Sequence, residues 1–194
     1  MSAPDIRLIA VDMDGMLLRP DGSIPEGLWP LLDRLAQRGI AFAPASGRQL
    51  ATLQRMFAGV PGDLDYIAEN GAYVVRGDEE VSSDALDSGL VASVVERLRA
   101  HVAAGDLNAA LVVCGKRSAY IESADPAFVT EVEKYYAKLE SVPDLLAVDD
   151  QVLKLAIYDF DGGEAHSAVA FADLGETHQV VVSGLHWVDI MNAT

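Results

Sequence analysis

The sequence predicts an α/β protein. A parallel-sheet core of β-α-β-α-β order is followed by a mixed α+β segment of roughly a hundred residues, the size of a second domain. Three observations carry this. Residues 6–11, apolar but for Arg7, and 40–45 are apolar runs of strand length, the pattern of strands buried on both faces of a parallel sheet. Leu28, Leu31, Leu32 and Leu35 recur between them at helical spacing. Each strand end then carries polar residues: Asp12 and Asp14, next Ser46, next Glu69 and Asn70. In open α/β sheets, ligands bind outside the carboxyl ends of the strands.

The elements come in order. After the first strand, Arg19-Pro20-Asp21-Gly22 is a polar turn. Ser23 and Glu26 have capping-box spacing, so a helix is expected from there to Gly39. A helix over 48–57 follows the second strand, and residues 65–68 form a third strand. Right-handed crossovers then give a parallel sheet. Tyr73 to Val75, with a turn at Gly77-Asp78, reads as a hairpin. Beyond it come an amphipathic helix over 84–104 and paired strands over 109–114 and 118–122. A helix over 126–139, a strand over 152–158 and a helix over 163–172 follow, then strands over 179–183 and 186–191.

The chain has 194 residues, 51% hydrophobic, with 14 basic against 30 acidic residues and a net charge of −16. No Lys/Arg-rich run is present, which argues against nucleic acid or an anionic membrane surface as partner. An acidic protein that handles a phosphorylated substrate needs a metal ion or a nest of amides to offset its own field. The single Cys114, in a predicted strand, reads as a buried packing residue in a reducing compartment. No apolar run reaches the ~18 residues of a membrane span, so a cytoplasmic location is expected.

The chemistry centres on Asp12-Met13-Asp14-Gly15. Two carboxylates one residue apart at a strand end can lean toward one site, and Gly15 permits the turn after them. A calcium loop is excluded, because Met16 stands where an oxygen ligand belongs. The motif is short, and the chain holds a near copy in Asp159-Phe160-Asp161-Gly162, where Asp161 and Glu164 have helix-capping spacing. The two copies differ in their downstream sequence. After the first comes Ser46-Gly47-Arg48, where a strand-end hydroxyl and loop amides suit an anion. Capping by Ser46 with Gln49 is compatible with that role. Arg48 either steers an anionic substrate or is a solvated residue. Asn70, at the next strand end, adds an amide to the same rim.

Val11-Asp12-Met13-Asp14-Gly15, Ala45-Ser46-Gly47-Arg48 and Glu69-Asn70-Gly71-Ala72, in this order, resemble the haloacid dehalogenase superfamily, and within it the Cof-like phosphatases. The resemblance implies a Rossmann-like core over 1–80, an inserted C2-type cap over 81–190 and a return to the core at 191–194. It implies a Mg²⁺-dependent phosphatase of small phosphorylated metabolites, sugar phosphates first. Asp12 would be the nucleophile that forms an aspartyl-phosphate, and Asp14 the acid and base. The Asp12 carboxylate and Asp14 carbonyl would hold Mg²⁺. Ser46 and Gly47 would bind the phosphoryl group, and Arg48 and Asn70 the substrate. A phosphotransferase or phosphomutase would use the same intermediate.

Two departures accompany the resemblance. Met16 stands where the family usually has Thr. The family's phosphate-binding lysine and second acidic segment find no match after Ile190, and neither Lys116 nor Lys154 is assigned the lysine's role. The C-terminal part of the core is therefore expected to be missing, with the chain a piece of a longer product. The first strand would then have an open apolar edge, and an inactive fragment that self-associates through that edge is the reading from outside the enzymes.

Overall fold

A computed structural model describes residues 5–60 and 64–193. The chain divides into two compact units between Ser83 and Asp84.

In the first unit, β1 (Leu8–Asp12), β2 (Ala41–Ala45), β3 (Asp65–Ala68), β4 (Tyr73–Arg76) and β5 (Glu79–Ser83) lie side by side in chain order. β1, β2 and β3 are parallel, while β4 and β5 return antiparallel. α1 (Leu28–Gln37) and α2 (Leu50–Met56) are the crossovers. Sequential strand order with right-handed crossovers puts both helices on the same face of the sheet. Leu28, Leu32, Leu53 and Phe57 pack there with Phe42, Tyr66 and Ala68, and with Ile9 and Val11 of β1. Phe57 is the hub, with its ring 6.1 Å from Trp29 and 6.5 Å from Tyr66, both edge-on.

This one-sided packing corrects the expectation that the first strand is buried on both faces. Ile9 and Val11 are half-buried, whereas Leu8, Ala10 and Asp12 are exposed. β1 is an edge strand, and the helices cover only one of its faces. The first helix also starts later than its capping box suggested. Ser23 instead closes a turn, its amide and hydroxyl both donating to Asp21 Oδ1 at 2.9 and 2.6 Å. α1 begins at Leu28 and carries Pro30 in its first turn, where no intrahelical amide is needed.

In the second unit, six strands form one sheet. They are β6 (Ala109–Gly115), β7 (Ala119–Ile121), β8 (Leu139–Ser141), β9 (Val152–Asp159), β10 (His178–Val182) and β11 (Trp187–Asn192). Their order is β10-β11-β9-β6-β7-β8, antiparallel throughout except between β7 and β8. α3 (Ser88–Ala104) packs Val94, Val95 and Leu98 on one face, against Leu111, Val113, Leu155 and Ile157. α4 (Pro126–Val132) packs Phe128 and Val132 on the other, against Val112, Cys114 and Ala156. Cys114 is a buried packing residue, its Sγ 3.3 Å from Tyr136 Oη. Asn192 Nδ2 donates to Asp84 Oδ1 at 2.7 Å and to Ala85 O at 3.2 Å, closing the two ends of the unit on each other.

Three expected helices are shorter. α3 begins after Asp87, whose carboxylate accepts from the Gly89 and Leu90 amides at 2.8 and 3.3 Å. α4 stops at Val132, because Tyr136 turns inward and residues 139–141 become β8, beside β7. Of the helix over 163–172, only the single turn α5 (Ser167–Ala170) remains, followed by a 3₁₀ turn. The capping role expected of Asp161 falls to Asp159. Its buried carboxylate accepts from Ser167 Oγ at 2.5 Å, Ser167 N at 3.2 Å and Asp161 N at 3.0 Å. Among the described residues, no helix is long and apolar enough to cross a membrane.

Candidate active site

The site is built from three neighbouring strand ends in the first unit. β1 and β2 run parallel in register, with Asp12 beside Ala45. The chain continues past each strand end on the same rim. After β1 it makes one wide turn over Met13–Leu17, closed by Leu18 N donating to Met13 O at 2.9 Å. Inside that turn Asp14 is extended, and Gly15 takes φ 72°, a left-handed conformation that favours glycine. Met13 is fully buried, which anchors the turn and leaves Asp12 and Asp14 exposed on either side. Met16, which replaces the family's usual Thr, is 73% exposed.

After β2, residues 46–49 form a loop. The expected capping pair of Ser46 and Gln49 is not what forms. α2 begins at Leu50 with Gln49 at its N-cap, without a side-chain cap. Ser46 Oγ accepts from Arg48 N at 3.2 Å instead. The helix is only seven residues long, so an anion here would rest on the loop rather than on a helix dipole.

Arg48 joins the second strand end to the first. Its two terminal nitrogens grip the Asp14 carboxylate as a fork, with Nη2 to Oδ1 at 2.9 Å and Nη1 on Oδ2. Nη1 also donates to Ser46 Oγ at 3.2 Å. The Ser46 hydroxyl therefore accepts twice from Arg48. With both lone pairs engaged, its own O–H is left to donate to a third group. Ser46 is buried, the Arg48 side chain mostly so, and the Asp14 side chain is 66% exposed. Arg48 thus neither floats in solvent nor stands apart as a steering charge.

After β3, Glu69, Asn70 and Gly71 all take positive φ, at 49°, 57° and 95°. The reversed chain is stitched to the preceding loop. Ser46 N donates to Ile67 O at 2.9 Å, Asn70 N to Ser46 O at 3.1 Å and Glu69 N to Arg48 O at 3.1 Å. The Asn70 backbone amide donates to Ser46 O, while its side-chain amide lies against Gly47. Glu69 is buried, which its place in a polar strand-end cluster did not signal.

Asp14, Ser46 and Arg48 form one hydrogen-bonded chain, Gly47 and Asn70 lie against each other, and Asp12 ends β1 beside them. The sequence alone does not reveal the Arg48 fork on Asp14. The two residues are far apart in sequence, and only the β1–β2 pairing brings them together. Lys154, by contrast, is buried in the second unit with its Nζ 3.6 Å from Asp189 Oδ2.

Residues 9–194 match the model of the haloacid dehalogenase-like hydrolases. The chain is similar to 5-amino-6-(5-phospho-D-ribitylamino)uracil phosphatase YbjI of Escherichia coli K12, with 32% identity over 154 residues, 78% of this chain and 55% of that one. Over 68 residues, 35% of this chain and 25% of the relative, it is 40% identical to an HMP-PP phosphatase of Cronobacter sakazakii. The chain thus spans about half the length of the first of these relatives. A solved structure from Streptococcus mutans UA159 superposes with a TM-score of 0.80 at 20% identity, covering 97% of this chain and 71% of the other. That likeness concerns the fold.

Proposed function

The chain belongs to the haloacid dehalogenase-like hydrolases, and from that premise we propose that its protein is a phosphatase of small phosphorylated metabolites. One observation carries the reading: Arg48 binds Asp14 of the first strand end and Ser46 of the second into a single constellation beside Asp12. Asp12, exposed at the end of β1, is the nucleophile. Its carboxylate attacks phosphorus, the bond to the leaving oxygen breaks, and an aspartyl-phosphate forms. For the acid step the Arg48 fork, which here occupies both Asp14 oxygens, must open, and a protonated Asp14 then gives its proton to the departing alcohol. It then takes one from the water that attacks phosphorus in the second step, so that Asp12 is restored and orthophosphate leaves.

Ser46 and Gly47 bind the phosphoryl oxygens, the Ser46 hydroxyl donating while Arg48 occupies its lone pairs. A carboxylate approaching a phosphate dianion is repelled, so catalysis here is mostly positioning and charge compensation. Arg48 supplies one positive charge on the rim. Mg²⁺, which the Asp12 carboxylate and the Asp14 carbonyl would hold, would supply further positive charge there. The donors fit that ion: Asp12 offers a carboxylate and Asp14 a carbonyl, both hard oxygens. Among the described residues no cluster of three or more His, Cys, Asp or Glu forms a closed metal site.

The Escherichia coli relative is named for a phosphorylated ribityl substrate. This supports a sugar or polyol phosphate as the substrate class. The test is hydrolysis of p-nitrophenyl phosphate and of alkyl phosphates with Mg²⁺. It is run on the 194-residue chain and on a form lengthened by any native sequence downstream of it. Turnover that disappears on chelation and in Asp12→Asn supports the reading. No turnover in either form, or full turnover in Asp12→Asn, refutes it.

A further inference from the structure

We propose that the Asn70 carboxamide is a positioning group that holds the Ser46-Gly47 loop in its phosphoryl-binding shape; this rests on the phosphatase reading of that loop. The geometry is specific. A Cβ placed on Gly47 would lie 2.6 Å from Asn70 Oδ1 and 3.2 Å from both Cγ and Nδ2. The side-chain amide therefore lies directly against Gly47, and a Cβ at residue 47 would force the Asn70 side chain or the loop to shift. The backbone agrees with the side chain. Asn70 N donates to Ser46 O and Glu69 N to Arg48 O, so the turn after β3 braces the loop after β2 on both sides of Gly47.

Residue 70 is also chosen for its conformation. Asn70 stands at φ 57° and ψ 28°, and Glu69 before it at φ 49°. Asparagine tolerates the left-handed region better than most side chains, and glycine accepts it without cost. Two successive non-glycine residues there are strained, and such strain clusters at functional sites where the surroundings enforce it. Glycine at 70 would make the turn easier. Asparagine adds what glycine lacks, a planar amide beneath Gly47. The group acts through the loop on the bound phosphoryl oxygens.

The test is a double-mutant cycle over Gly47→Ala, Asn70→Gly and the pair, with orthophosphate affinity, p-nitrophenyl phosphate kinetics and urea unfolding as readouts. Asn70→Gly keeps the left-handed backbone and removes only the amide. It is expected to weaken orthophosphate binding and to lower kcat/KM by about 10- to 100-fold, mainly through KM, the scale of loss from small misplacement of a binding group. Gly47→Ala is expected to destabilise the protein strongly alone and much less in the Asn70→Gly background. That non-additivity marks direct contact, and unfolding reads it whether or not the protein turns over substrate. Additive effects in the unfolding cycle overturn the inference, as do wild-type phosphate affinity and KM in Asn70→Gly. Failure of the phosphatase reading is distinct: the wild type itself then shows neither turnover nor orthophosphate binding.

Discussion

Arg48 sits between two groups with different needs. In the proposed reaction Asp14 presents a proton or accepts one, and Ser46 points its hydroxyl at a phosphoryl oxygen. The Arg48 fork orients both, through Asp14 Oδ1 and Ser46 Oγ. A lysine would keep the charge and lose the fork. Arg48→Lys is therefore expected to lower kcat/KM about tenfold, the equivalent of one charge-assisted hydrogen bond of about 1.5 kcal/mol. The loss should be larger for an alkyl phosphate, whose leaving group needs the acid, than for p-nitrophenyl phosphate; equal losses would show that Arg48 serves substrate binding alone. Candidate residues were legible at this scale, because strand-end polar residues after apolar runs announce themselves. Their connections were not. Arg48 suggested either a steering charge or a solvated side chain, since neither its own position nor that of Asp14 reveals a contact made through parallel strand pairing.

Short elements here owe their ends to single carboxylates. Asp159 holds α5 from the neighbouring strand, accepting three hydrogen bonds in full burial. Removing it strands buried donors, so Asp159→Ala is expected to destabilise the protein by about 3 kcal/mol in urea unfolding. A loss below ~1 kcal/mol would mean that water replaces the carboxylate. Asp150 plays a like part at the β6–β7 turn. It accepts from Arg117 N and Tyr120 Oη, each at 2.9 Å, and a Cβ on Gly115 would collide with its Oδ2. Burial first, and Asp150 second, push the Tyr120 hydroxyl up to about 12. The near copy of the proposed catalytic motif explains what was hard to read here. Asp159-Phe160-Asp161-Gly162 follows an apolar strand just as Asp12-Met13-Asp14-Gly15 does, yet its first carboxylate turns inward to cap. Sequence spacing favoured Asp161, because a capping box is read along the chain, while Asp159 reaches Ser167 across the fold.

The whole molecule is acidic, and several of its cations pair with carboxylates. Arg99 binds Glu122 and Asp144, and Arg97 binds Asp173. These cations hold all three carboxyls below their ordinary values, through hydrogen bonds first. Depressed carboxyls stabilise the fold above their unfolded values and lose that contribution as pH falls through the folded ones. The thermal midpoint should therefore drop as the pH is lowered below about 4, and less steeply in Glu122→Gln. An unchanged profile in that variant would remove Glu122 from the account. In the first unit, β1 pairs only with β2 among the described residues, with Leu8 half-exposed beside an open edge. An edge of this kind invites strand pairing, so the 194-residue chain is expected to sediment above monomer mass, and less so with Leu8→Lys; a clean monomer would contradict this. The two-part α/β and α+β architecture was legible in the sequence, because helical and strand periods are local properties. The one-sided covering of β1 was not, because an apolar run looks the same whether one face or both are covered.

Among all these tests, the central claim is that Asp12 attacks phosphorus. The direct measurement is an acid-quenched reaction with a phosphate ester and Mg²⁺, followed by mass mapping of the labelled protein. The account predicts a hydroxylamine-labile phosphoryl group on the peptide that carries Asp12, and none in Asp12→Asn, which should also lose about 10³-fold or more in turnover. A phosphoryl group on another residue, or undiminished turnover in Asp12→Asn, would contradict it.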